Sequence, residues 1–179
     1  MQSLRGHLLV AAPTLLDPNF QRSVVLIAEH TDEGALGVVL NRPSESTVGE
    51  IVPDIGGIVD ADETVFTGGP VQPSGVMVLA EFADPDTAAL PVDGDLGFVA
   101  LESDMEELDT GRARAFAGHA GWGPGQLDAE LEEEAWFVAS FDREDAFSDH
   151  PDDLWSRVLV RKGGAYALVA RMPLDPSLN

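Results

Sequence analysis

The order of short apolar runs constrains the fold of this chain more than any other sequence feature. Runs rich in Val, Ile, Leu and Phe recur along the sequence, and turn-forming residues separate them. Segments with helical character do not alternate regularly with these runs, so a mixed, largely antiparallel α+β fold is predicted rather than a doubly wound parallel sheet. We predict about seven strands, and the eight candidate runs lie at residues 6–12, 23–30, 35–41, 64–67, 76–82, 96–101, 113–119 and 136–141.

Three or four short helices complete the prediction. The clearest begins at Pro151 and ends near Lys162, with acids in its first turn, bases in its last turn and Gly163 after it. The tail after Gly163 fits either a strand or a helix. The 179 residues suit a single domain spanning 1–179. Shorter helices are predicted over 47–52 with Thr47 and Glu50 as a capping box, over 103–111 with Ser103 and Glu106 as another, and from Pro124 onward.

The charge of the chain is strongly negative and unevenly distributed. The formal net charge is −22, and residues 51–150 hold 23 acids and 3 bases, which is −20 of that total. This acidity fits a solvated face, adaptation to salt, or a surface that recruits a basic partner. Because nucleic-acid affinity rests largely on cationic contacts to phosphates, direct nucleic-acid binding is not expected.

Several other classes of protein are also disfavoured. The chain has no cysteine, which excludes disulfides, thiolate metal sites and a cysteine nucleophile. The four histidines show no HxH or HExxH spacing, so neither a metal nor a cofactor is predicted. A GxSxG nucleophile elbow is absent, and no apolar run approaches a membrane span. A cytoplasmic protein without a membrane segment is the expectation.

Three segments are dense in Gly, Pro, Asn, Trp and His. They are LDPNFQRSV at 16–24, GVVLNRPS at 37–44 together with GGPVQP at 68–73, and GHAGWGPGQL at 118–127. Each lies where a strand meets a turn or helix, which is where binding sites and plain turns both occur. The helix after GHAGWG directs free N–H groups toward that turn, so a carboxylate or phosphate fits there, with a tight structural joint as the alternative.

These segments support a hypothesis of one shallow ligand-binding pocket, because element ends can gather on one side of a sheet. In a second hypothesis, for a hydrolase or transferase of small anionic substrates, His119 is the acid–base group and Arg42 forks onto the anion. A structural ion pair is the alternative role for Arg42. The candidate ligand-binding residues are Asn41, Arg42, Gly68, Gly69, His119, Gly121, Trp122 and Gln126; no catalytic set is assigned.

The same segments carry a family resemblance that covers essentially the whole chain. The run GHLLVAAPTLLDPNFQRSVVLIAEHTDEGALGVVLNRPS, then GGPVQP, AGHAGWGPGQLDAELEEEAWFV, DDLW and the final PSLN resemble the AlgH/YqgE family of bacterial proteins in the family's order. The resemblance implies a compact α+β fold with coiled, bifurcated sheets in a bacterial cytosolic protein. It implies no established activity, although some members carry a transcriptional-regulator label tied to alginate production.

A non-enzymatic regulatory or binding domain is therefore the first prediction, with an unknown protein or a small anionic ligand as its partner. Any regulatory role is expected to be indirect, since the charge argues against direct contact with DNA. The hydrolase or transferase remains the alternative.

Overall fold

The computed structural model describes residues 2–174 of the chain. Within this part, ten strands and five short α-helices are joined by turns, so the predicted α+β class is confirmed and the predicted strand count of about seven is too low. The strands are β1 (His7–Ala11), β2 (Val24–Thr31), β3 (Gly34–Val39), β4 (Pro43–Thr47), β5 (Thr64–Thr67), β6 (Val71–Phe82), β7 (Leu90–Asp93), β8 (Leu96–Phe98), β9 (Thr110–Trp122) and β10 (Trp136–Ser140). The helices are α1 (Val48–Ile51), α2 (Gln126–Glu132), α3 (Arg143–Ala146), α4 (Leu154–Lys162) and α5 (Ala165–Val169).

The sheet is branched. Its main path runs β10-β1-β2-β3-β9-β6-β8-β7 with antiparallel neighbours, while β4 pairs with β5 and β5 pairs in parallel with β9. The long strand β9 carries the branch, because residues 116–117 pair with β5 and residues 120–122 pair with β3. The mixed, largely antiparallel, bifurcated sheet is thus present as expected.

Three apolar cores cover the faces of this sheet. Alternate residues of β1 enter different cores, with Leu8 in one and Leu9 in another, so the strand is apolar throughout. The first core joins both halves of the sheet to α4, and β7 contacts β2 as the sheet curls. The second lies under α2, and the third lies under α1 and the turn that follows it.

The differences from the predicted elements have local causes. The β4 segment is polar and begins at a proline, which suits an edge strand that pairs with one neighbour only. The β7 strand buries only Val92 and turns into β8 at Gly94, which has φ +56°, so its sequence resembles a loop. Both β6 and β9 extend beyond the predicted limits because each contains a bulge or a glycine-rich end.

The predicted helices are confirmed in part. The Thr47–Glu50 capping box opens α1, and the predicted 151–162 helix is a 3-10 turn followed by α4, which ends before Gly163. The predicted 103–111 helix is wrong: only a 3-10 turn forms at Met105–Glu107, and Asp104 caps it. Helix α2 begins at Gln126 instead of Pro124. The tail after Gly163 forms α5, and the final PSLN lies outside the described residues.

Candidate functional site

The two glycine-rich segments predicted to share a site meet backbone to backbone at the branch of the sheet. A Cβ atom at Gly69 would lie 2.2 Å from the carbonyl carbon and oxygen of His119, and one at Gly68 would lie 2.3 Å from the Gly118 oxygen. Gly69 also has φ +153°, a conformation that L side chains rarely adopt. Close packing of strands therefore requires these glycines, with or without a ligand.

His119 lies beside this junction with few polar neighbours. It pairs with Val71 in the β9–β6 ladder, and residues 72–75 of β6 then bulge outward opposite Gly118. The imidazole is half-buried and makes no hydrogen bond with any described residue, and burial lowers its pKa below 6.5. Gly121, two residues on, is exposed. The ring is thus open to a ligand, but no described side chain orients it.

The side chains of Asn41 and Arg42 hold a loop through hydrogen bonds to its backbone. The Asn41 side chain accepts from the Val24 amide at 3.0 Å and donates to the Arg22 carbonyl at 2.9 Å. The two terminal nitrogens of Arg42 donate to the carbonyls of Pro18 and Gln21 at 2.7 and 2.8 Å. Burial lowers the pKa of the Arg42 guanidinium, and the charge of Asp17 opposes that shift. The pair fastens the 13–23 loop to the end of β3.

Trp122 and Gln126 bind a carboxylate of the chain itself. Glu130 Oε2 accepts hydrogen bonds from the indole nitrogens of Trp122 at 2.9 Å and Trp136 at 2.8 Å, while Oε1 accepts from Gln126 at 3.0 Å. The other end of the Gln126 amide accepts from the Gly123 backbone N–H. Glu130 therefore satisfies the side-chain donors of this segment, and an anion on the backbone N–H groups of the GHAGWG turn stays a prediction.

Sequence reasoning missed Glu130. The one available signal was its spacing of four residues from Gln126, which places the two side chains on the same face of α2. Nothing in the sequence distinguishes Glu130 from the three glutamates that follow two residues later.

An aromatic cluster supports the same loop from below. The Phe20 ring lies 6.4 Å from the Trp122 ring and 5.6 Å from the Trp136 ring, and the two indoles lie 6.0 Å apart. Trp122 is 6% exposed and Trp136 is 4% exposed. The motif-rich segments therefore do converge, and the contacts of their large side chains centre on the 13–23 loop.

The outer side of this loop forms one wall of a groove, hereafter the apolar groove, with a volume of about 680 Å³. The opposite wall comes from the end of α2, from β10 and from α5 with the residues after it. A smaller hollow of about 120 Å³ adjoins it and shares Ala12, Pro13 and Met172. The residues that line the apolar groove are Ala12, Pro13, Thr14, Leu16, Glu133, Glu134, Phe137, Val169 and Met172.

Arg22 joins the two walls of the apolar groove. Its backbone has φ +55°, its guanidinium lies 4.4 Å from the centre of the Trp155 ring, and it donates a hydrogen bond to the Met172 carbonyl. Leu16 and Met172 nevertheless remain 62% and 48% exposed. Sequence reasoning did not identify the apolar groove, because its walls come from opposite ends of the chain.

Most of the bases are engaged within the molecule. Five carboxylates and several backbone carbonyls are the partners, and Glu81 bridges two arginines, with the hydrogen bond from Arg112 lowering its pKa most. The eight engaged bases are Arg22, Arg42, Arg112, Arg114, Arg143, Arg157, Arg161 and Lys162.

The groups of His, Asp and Glu among residues 2–174 include no set of three placed to hold a metal ion. None of the helices over these residues has the length and apolar character that crossing a membrane requires.

Together, the branched sheet and the satisfied polar motifs define an α+β domain built around a braced N-terminal loop. The comparisons with known proteins agree: the chain belongs to the AlgH-like family, DUF179, whose model matches residues 8–167. It is 48% identical to a UPF0301 protein of Streptomyces coelicolor over 100% of this chain and 97% of that protein. A UPF0301 protein of Chlorobaculum tepidum is 39% identical over 97% of this chain and 95% of its own length.

Two solved structures share the fold. The crystal structure of a Corynebacterium diphtheriae protein matches with a TM-score of 0.84 and 33% identity, covering 93% of this chain and 91% of that one. The solution structure of AlgH from Pseudomonas aeruginosa matches with a TM-score of 0.75 and 28% identity, covering 96% and 95%. The names of these relatives state no activity, so the family of this chain is established and its function is not.

Proposed function

We propose that this chain is a non-catalytic protein-binding domain whose apolar groove receives apolar side chains from a segment of a partner protein. The observation that carries the proposal is the exposure of Leu16 and Met172 on either wall of a groove of about 680 Å³. Exposed apolar side chains on facing walls of a groove suit the insertion of apolar side chains from a bound protein segment.

The openness of the apolar groove favours a protein segment over a small metabolite. Small-molecule sites bury most of the ligand in an enclosed cleft, whereas this groove is largely open to solvent. The polar side chains that line the apolar groove are Thr14, Glu133 and Glu134, while Leu and Met provide adaptable apolar contacts. A helix or extended segment that inserts two or more apolar side chains suits such a lining.

Any regulation by this protein would then act through binding of a partner protein, without catalysis and without direct contact with DNA. The hydrolase or transferase alternative gains no support from Arg42, whose terminal nitrogens already donate to backbone carbonyls. Direct DNA binding gains none from the bases, eight of which contact other groups of the chain. The small anionic ligand and the cytoplasmic location remain predictions.

The test selects a phage-displayed library of random short peptides against the wild-type protein and titrates synthetic copies of the enriched peptides by fluorescence anisotropy. The double variant Leu16→Glu/Met172→Glu places charges in the apolar groove, and Val160→Glu places one at an apolar residue of α4 that is 57% exposed outside it. We expect the double variant to weaken binding about tenfold or more, because a charge in an apolar contact is costly to desolvate.

Val160→Glu is expected to leave the affinity unchanged, and urea unfolding verifies that every variant is folded. The proposal is overturned if the library yields no peptide, or if the enriched peptides bind the double variant as tightly as the wild type.

A further inference from the structure

We infer that the partner segment is basic, carrying Lys or Arg beside the apolar side chains that enter the apolar groove. This inference rests on the proposed function and adds the charge of the partner.

The acids that line the apolar groove are free to form ion pairs. Glu133 and Glu134 are both exposed, and their carboxylates accept no hydrogen bond from any residue within 2–174. Glu134 has φ +57°, so the chain turns sharply at the point where these side chains reach the apolar groove. Two unpaired carboxylates therefore lie beside the exposed Leu16 and Met172.

The position of these acids is unfavourable for the helix that carries them. Glu132 is the last residue of α2, Glu133 and Glu134 follow at once, and the last turn contains no base. The C-terminus of a helix carries partial negative charge, so acids there are destabilising and bases are preferred. Helix stability does not account for the three glutamates, whereas a cationic partner would offset the repulsion.

The bases near the opposite wall form no ion pair with Glu133 or Glu134 within residues 2–174. Arg22 lies over the Trp155 ring and is bonded to the Met172 carbonyl, and Arg171 is exposed nearby in sequence. The net charge of the whole chain is −22, so its long-range field is negative. Such a field attracts basic segments and accelerates their association, and it repels nucleic acids and anionic lipid surfaces.

The experiment uses three synthetic amphipathic helical peptides with identical apolar residues, and with Lys, Gln or Glu at the same polar positions. Each is titrated by fluorescence anisotropy against the wild-type protein, against Glu133→Gln/Glu134→Gln, and against Glu106→Gln/Glu107→Gln. The last variant is the matched control: it also removes two exposed acids, from the 3-10 turn at Met105–Glu107, outside the apolar groove.

We expect the Lys peptide to bind the wild type roughly twofold to thirtyfold more tightly than the Gln peptide, which is the range that two exposed ion pairs provide. The advantage should shrink in Glu133→Gln/Glu134→Gln, persist in Glu106→Gln/Glu107→Gln, and decline in about 0.5 M NaCl as charges are screened. The Glu peptide should bind weakest.

The outcomes separate this inference from the function on which it rests. Equal binding of the Lys and Gln peptides, still abolished by Leu16→Glu/Met172→Glu, overturns the basic partner and retains the apolar groove. Equal loss in the two glutamine variants shows attraction by net charge alone and also overturns it. If Leu16→Glu/Met172→Glu leaves the binding of all three peptides unaffected, the proposed function itself is wrong.

Discussion

The inner and outer sides of the 13–23 loop differ in a way that neither the composition nor the motifs of the sequence predict. The inner side is fixed by Phe20 between two tryptophans, by the side chains of Asn41 and Arg42, and by the Glu130 carboxylate beneath the tryptophans. The outer side presents the exposed Leu16 to the apolar groove. The dense Gly, Trp and Asn motifs of this region form packing contacts, whereas the surface available for binding contains no distinctive motif.

The difference arises because packing of the branched sheet restricts the choice of residue types more than binding in a groove does. A branched sheet requires backbones in contact, and buried indole N–H groups require an acceptor, so few residue types satisfy either condition. An apolar groove needs only side chains of suitable size and polarity, which many residue types provide. If the motif side is structural, substitutions there should lower stability, most of all where two backbones are in contact.

Gly69→Ala is expected to destabilise the fold by about 3 kcal/mol or more, because the new Cβ would overlap the His119 backbone and φ is +153°. Gly57→Ala is the control, since a Cβ there would meet nothing within 4 Å. Urea unfolding of both variants measures the change in the free energy of unfolding. Similar stabilities for the two variants would show that the junction of Gly69 with His119 accommodates a side chain and that packing does not require glycine there.

Glu130→Ala is expected to cost about 2–3 kcal/mol, because it leaves two buried indole N–H groups and the Gln126 amide without their acceptor. Glu132→Ala, at an exposed site on the same helix, should change stability by less than about 0.5 kcal/mol. Urea unfolding followed by tryptophan fluorescence reports both stability and the environment of the indoles. If the two variants matched, Glu130 would not be the structural acceptor that its contacts indicate.

The sequence predicts the fold class well because the buried strands are apolar on both faces and their irregular order excludes a parallel sheet. It fails at β4 and β7, whose polar edge residues have the composition of loops. The convergence of the glycine-rich segments follows from strand ends meeting, but which side chains face solvent does not. The helical period places Glu130 beside Gln126, but it predicts neither the two indole donors nor the presence of Leu16 and Met172 in one groove, since tertiary packing alone brings these groups together.

Replacing His119 is expected to have the smallest effect on stability among these substitutions. Its ring makes no hydrogen bond within residues 2–174, so it tests whether the motif side also contains a group that is free to bind a ligand. Burial lowers its pKa below 6.5, so between that lowered pKa and 6.5 the unfolded chain binds more protons than the folded one. The stability contributed by His119 is therefore full above pH 6.5 and declines as the pH falls through the folded-state pKa. An NMR titration of the ring should give a pKa below 6.5. The pKa of Glu81 is also lowered, and this residue adds to the loss of stability only at more acidic pH.

Relative to His119→Gln, the wild type should lose stability between pH 7.5 and 5.5, as measured by urea unfolding at each pH. A pKa at or above 6.5 would contradict the lowering by burial, and it would return His119 to consideration as the acid–base residue of the alternative hydrolase.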